Sequence, residues 1–128
     1  MTEAISKRLA LETKDAENLK RNPNNDLERV QDCIAGPIDD ICHDINISID
    51  YFENQYDKRI EEVFLTGGAG ATIGLLEALE RTVNKPVASW KPTHYLPAQL
   101  DAESQQDLDN TGHQCAIALG LAARIRKD

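Results

Sequence analysis

The sequence predicts a helix-rich α/β fold, and two stretches carry that expectation. From Leu27 to Tyr56 apolar residues recur every three or four positions, the period that holds them on one face of a helix. From Val63 onward a short apolar run meets a cluster of glycines, then an apolar stripe of helical spacing, then a second short run bounded by prolines. Strand, turn, helix and strand in that order make a βαβ unit, and such a unit brings its two strands together in parallel. The expected architecture is a long kinked helix beside a short two-stranded parallel βαβ unit.

The elements follow in order. Thr2 to Leu11 reads as a short helix with Ile5 and Leu9 on one face, and Lys14 to Arg21 as a second that turns Ala16 and Leu19 inward. Asn22-Pro23-Asn24-Asn25 is a loop, because both residue types favour turns. Asn25 with Glu28 three residues later forms a capping box for the next helix. That helix carries Leu27, Val30, Ile34, Ile38, Ile41, Ile45, Ile49, Phe52 and Tyr56 as its apolar stripe. Gly36-Pro37 interrupts it, and an internal proline costs about 3 kcal/mol and kinks a helix. The stripe keeps its phase across the interruption, which predicts one kinked helix rather than two. Asp39, Asp40, Asp44 and Asp50 lie mostly off the stripe and read as a solvated acidic face, not as paired catalytic carboxylates.

The second half turns on Gly67, Gly68, Gly70 and Gly74. Glycines let backbone come within contact distance of a ligand, since no Cβ intervenes. A helix start beyond them offers N–H groups and a positive dipole end to an anion. The spacing matches neither the dinucleotide G-x-G-x-x-G nor a P-loop, which needs a following Lys. The turn alone therefore leaves two readings open, a ligand cradle and a tightly packed connection. Ile73, Leu76 and Leu79, with Leu75 beside them, form the next helix stripe, and Lys85 to Pro92 holds the second strand. Thr93 to Gln99 reads as irregular. Asp101 to Asn110, with four acids and no base, reads as an exposed loop or loose turn. Thr111 with Gln114 forms a further capping box for a last helix, Gly112 to Arg126, which Arg124, Arg126 and Lys127 close in keeping with the helix dipole.

Val63-Phe64-Leu65 is apolar on both faces, the pattern of a strand covered on two sides. The last helix is apolar on more than one stripe. Two strands rarely stand alone as a sheet, so the expectation is that the chain belongs to a larger protein or pairs with another chain.

Charge and composition narrow the function. With 128 residues the chain suggests one domain, and a net charge of −8 with a pI near 4.8 argues against a nucleic-acid partner. No apolar run approaches membrane-spanning length, and the first residues lack the apolar core of a signal peptide. Cys33, Cys42 and Cys115 form no C-x-x-C pair and read as reduced, buried, small apolar residues, with no metal site. The three histidines, His43, His94 and His113, have no evident triad partners; His43 reads as a partly buried helix residue and His94 as loop surface.

The order of segments resembles the C-terminal part of an actin-like ATPase. It is most similar to the type IV pilus assembly PilM proteins and more distantly to the FtsA cell-division proteins. Three stretches carry the resemblance: TEAISKRLALETKDAENLKR (Thr2 to Arg21), EEVFLTGGAGATIGLLEALE (Glu61 to Glu80) and AIALGLAAR (Ala116 to Arg124). The first matches paired helices whose second bears a Glu-x-x-Lys-Arg face, and the second matches a strand with an adenosine-binding glycine turn. The resemblance spans nearly the whole chain and implies a single partial domain of an actin-like, ribonuclease H-like fold. Within it, 1–60 is a helical subdomain and 61–128 a βαβα portion.

The resemblance further implies that Gly67 and Gly68 lie against the adenosine and α-phosphate side of ATP, with Ala69 and Gly70 continuing that wall. Glu17, Lys20 and Arg21 would face the adenine and ribose. Ala69 stands where the pilus proteins often have a third glycine, and Ala71 and Ile73 replace the arginine or proline often found after the turn. The two phosphate-binding hairpins that hold Mg²⁺ in this superfamily precede the segment beginning at Thr2, and this sequence has neither. Phosphoryl transfer depends on positioning and electrostatics around phosphates and metal. The expectation is weak ATP binding at best and no hydrolysis by this chain alone.

The implied role is a cytoplasmic scaffold for pilus assembly or related secretion, peripheral to the inner membrane through other assembly proteins and able to self-associate. The alternative is a free-standing interaction module of the same fold without nucleotide binding. A sugar or acetate kinase fragment fits less well, since no sugar-binding motif is present.

Overall fold

The structure, a computed structural model, describes residues 1–95 and 100–124. Its helices are α1 (Thr2–Leu9), α2 (Thr13–Arg21), α3 (Leu27–Tyr56), α4 (Leu75–Val83), α5 (Ala102–Thr111) and α6 (Ala116–Arg124). Its strands are β1 (Val63–Leu65) and β2 (Val87–Ser89). The chain divides into two compact units, residues 1–60 with 78–84, and residues 61–77 with 85–128.

The first unit is all helical. α1 stops at Ala10, which adopts the left-handed conformation (φ 53°) and returns its N–H to the Ser6 carbonyl. The core is built from Ile5, Ala16, Val30, Ile34, Ile38 and Leu79, together with Cys33 and Cys42. α3 runs unbroken through Pro37, as the phase of its stripe predicts. Its buried line is narrower than that stripe, because Cys33 and Cys42 occupy the centre while Leu27, Ile41, Phe52 and Tyr56 lie exposed. The four aspartates are exposed, as expected, and so is His43, which sequence reading had placed partly inside.

The expected Asn25–Glu28 capping box is absent. A 3-10 turn, Asn24–Asp26, leads into α3 directly, Asp26 stands at the cap without a capping bond, and its carboxylate takes Arg29 Nη1 at 2.7 Å instead. At the far end α3 closes on left-handed Asp57 (φ 50°), and the Ile60 N–H donates to Glu53 Oε1 at 2.7 Å.

In the second unit β1 and β2 pair in parallel with the register Val63↔Val87, Phe64↔Ala88 and Leu65↔Ser89. The ladder is extended by Val63 N to Pro86 O at 3.0 Å and Trp90 N to Leu65 O at 2.9 Å. The βαβ expectation therefore holds. Within this chain Phe64 of β1 is 57% exposed.

Asp101 to Asn110 is not a loop. It forms α5, capped by Asp101, whose Oδ1 accepts from the Ser104 N–H at 2.8 Å. The four acids do not prevent a helix; they make one with no buried face. The Thr111–Gln114 box is also absent. Thr111 Oγ1 turns back to the Asp107 carbonyl at 2.7 Å, and Gly112–Cys115 is a 3-10 turn before α6. Along α6 no side chain is buried, and Ile117 is 78% exposed. The expected continuations over 96–99 and 125–127 lie outside the described residues.

Candidate functional site

The seven residues singled out from sequence fall into two groups, one in each unit. In the second unit the chain leaves β1 at Leu65 and enters the glycine turn. Gly67 has φ +89°, a left-handed backbone that side-chain-bearing residues resist. Its N–H donates to the His113 carbonyl at 2.8 Å, and Thr66 Oγ1 donates to the same oxygen at 3.1 Å. Gly70 closes the turn with its N–H on Gly67 O at 3.0 Å, and a Cβ on Gly70 would sit 3.2 Å from that oxygen.

Gly68 differs from both. Its φ is not left-handed, a Cβ there would meet nothing within 4 Å, and the residue is exposed, as is Ala69. The turn's own geometry thus favours glycine at 67 and 70, whereas the bare backbone at Gly68 faces open space. The helix start expected beyond the glycines comes directly after Gly74 and not after Gly70. The chain makes further turns (Thr72 N to Ala69 O at 2.9 Å, Leu75 N to Thr72 O at 3.2 Å) and α4 begins only at Leu75, after Gly74 at φ +78°. The anion-attracting end of α4 is therefore not the glycine turn itself.

In the first unit Glu17, Lys20 and Arg21 share one face of α2, as the i, i+3 and i, i+4 spacing requires. Lys20 Nζ lies 2.6 Å and Thr2 Oγ1 also 2.6 Å from Glu17 Oε2, and Arg21 Nε lies 3.0 Å from Oε1. Lys20 Nζ further donates to Thr2 Oγ1 at 2.9 Å, closing a triangle that ties the start of α1 to α2. These donors, Lys20 foremost, then Thr2 and Arg21, hold the Glu17 carboxyl down at about 2. Lys20 and Glu17 are half-buried, while Arg21 is largely exposed.

Other chemistry is thinly represented. Burial, followed by the nearby Asp39 charge, pushes the Cys42 thiol up, which makes it an inert core residue. Cys33 and Cys42 are buried, Cys115 is partly exposed, and all three are free. Among the described residues no cluster of His, Cys, Asp and Glu could hold a metal ion, and no helix is long and apolar enough to cross a membrane.

The geometry can be set beside known proteins. The model of the family described as type IV pilus assembly protein PilM matches residues 1–126. The chain belongs to the PilM family. A solved structure of a PilM-PilN type IV pilus biogenesis complex is similar to it with a TM-score of 0.79 and 27% identity. That match covers 96% of this chain and 35% of the PilM-PilN chain, so this sequence spans well under two thirds of it. No curated protein sequence matches.

For a PilM-family chain, the residues that sequence reading missed are as telling as those it found. Thr2 completes the Glu17–Lys20 cluster from fifteen positions away, and His113 anchors the glycine turn from 47 positions beyond Thr66. The His113 contact is made by its backbone carbonyl, which leaves no trace in residue identity.

Proposed function

We propose that this chain is the nucleotide-facing part of a type IV pilus assembly scaffold built on an actin-like fold. The observation that supports it best is the PilM match across residues 1–126. In this reading the bare backbone of Gly68, with exposed Ala69 beside it, faces the adenosine and α-phosphate side of ATP, and Gly67 and Gly70 fix the turn. Open space at Gly68, where the fold itself asks for no glycine, fits that role. In the first unit the hydrogen bond between Lys20 and Glu17 fixes that pair on α2. Bound ATP would supply the conformational signal, and the chain's own residues would bind and orient it without cleaving it.

The partner would be a PilN-like assembly protein, and the working location the cytoplasmic face of the inner membrane. The competing reading is an interaction module that no longer binds nucleotide; the three in-chain donors already on Glu17 favour it. Titration of the isotope-labelled chain with MgATP, followed by NMR, separates the two. Weak, saturable shifts at 67–70 that disappear in Gly68→Ala, a variant folded like the parent, support the scaffold reading. No shifts up to high millimolar ATP leave the interaction module.

A further inference from the structure

We infer that the His113 carbonyl, in the 3-10 turn between α5 and α6, is a latch that sets the conformation of the glycine turn, and that Thr66 is its positioning residue. This deepens the nucleotide reading of the turn and rests on it for the ligand.

One carbonyl oxygen, that of His113, receives both the Thr66 hydroxyl at 3.1 Å and the Gly67 N–H at 2.8 Å. Two donors on one acceptor fix the peptide before Gly67 in two directions, and Gly67 is the residue whose left-handed backbone decides where Gly68 points. The acceptor is itself held from behind. His113 is 6% exposed, and the Thr93 side chain, 5% exposed, presses against Gly112. A Cβ on Gly112 would fall 2.2 Å from Thr93 Oγ1, so a side chain at 112 would force Thr93 or the backbone to shift. Thr93 Oγ1 is also the one buried side-chain oxygen or nitrogen without a hydrogen-bond partner among the described residues. An unpaired buried hydroxyl costs free energy, which marks the contact as set by steric fit rather than by hydrogen bonding.

The chain of contacts thus runs from Thr93 through Gly112 and the His113 carbonyl to Thr66 and Gly67. A ligand that prefers one conformation of the turn also stabilises the latch that holds it, because coupling between two sites is reciprocal. Occupancy of the turn is in this way transmitted to the α5–α6 junction.

The test uses the whole chain, with Thr66→Val, which keeps the shape and removes the hydroxyl, and Thr66→Ser, which restores it. Amide exchange by NMR without ligand should be about tenfold faster at Gly67 in Thr66→Val and near the parent rate in Thr66→Ser. MgATP titration should show affinity weakened about fivefold or more in Thr66→Val and recovered in Thr66→Ser. Ligand-induced shifts at 112–116 should appear in the parent and vanish in Thr66→Val. Gly112→Ala, which pushes on Thr93, should speed Gly67 exchange in the same way.

Equal Gly67 exchange and equal affinity in the parent and Thr66→Val overturn the latch while leaving nucleotide binding intact. Hydroxyl-dependent exchange at Gly67 in a chain that shows no ATP shifts supports the latch and overturns the nucleotide reading instead.

Discussion

Glu17 accepts hydrogen bonds from Lys20, Thr2 and Arg21, and the balance of those donors sets how its charge contributes to folding. Its folded value of about 2 lies below the ordinary value of 4.5, so the folded state binds fewer protons there than the unfolded chain. Stability from this carboxylate is fully present above pH 4.5 and is lost as the pH falls toward 2. Glu17→Gln should therefore cost about 1 kcal/mol at pH 7, a modest figure because the group is partly solvated. The gap between variant and parent should close as the pH drops through that window, which urea titrations at pH 7, 4 and 3 would measure. The glycines give a second contrast at this scale. Gly67→Ala forces a side chain into φ +89° and should cost about 1–2 kcal/mol. Gly68→Ala meets open space and should stay within about 0.5 kcal/mol of the parent in the same titration. The Glu17–Lys20–Arg21 face was singled out through the family resemblance, and its local spacing accounts for the three sharing one face. Thr2 was not, because its contact depends on how α1 returns against α2.

Within the elements, period decided what could be read. α3 announced itself through a continuous stripe, and the stripe's unbroken phase foretold its passage through Pro37. The same stripe overstated burial. It treats Ile34 and Ile41 alike, yet Ile34 is 1% exposed and Ile41 39%. Ile34→Ala should cost about 2–5 kcal/mol, the range for a fully enclosed branched side chain, and Ile41→Ala under about 1 kcal/mol. Denaturation of the two variants side by side checks this, and equal costs would mean that the exposed flank of α3 is covered in solution. α5 failed to show itself for the opposite reason. Its sequence has no apolar stripe, so periodicity carried no signal, and the decisive feature was the pairing of Asp101 with the Ser104 N–H and hydroxyl. That hydrogen bonding lowers the Asp101 carboxyl from its usual range, which keeps the cap charged into mild acid. Both capping boxes proposed from Ser/Thr/Asn-x-x-Glu/Gln spacing were absent, since 3-10 turns occupied the places where those caps would have formed.

Across the whole molecule, apolar burial is unevenly shared. The first unit encloses Ile5, Val30, Ile34, Ile38, Cys42 and Leu79, whereas the described part of the second buries Leu75 and Val87 and leaves Phe64, Ile117 and Leu121 exposed. Burial of apolar surface is the main source of stability, so the two units should not open together. The family resemblance was legible because segment order survives in sequence; this imbalance was not, because which apolar residues find a partner depends on packing. Regions with few buried contacts open at low free-energy cost and show it in native-state hydrogen exchange. In increasing but sub-denaturing urea, amides of β1, β2, α5 and α6 should exchange first, through a shared opening well below the global unfolding free energy. Amides of α3 around Val30 to Cys42 should exchange last. A ligand held by the glycine turn should raise the first opening, since binding stabilises only the state that carries the site. A single opening shared by α3 and the βαβ strands would show instead that the two units fold as one cooperative body.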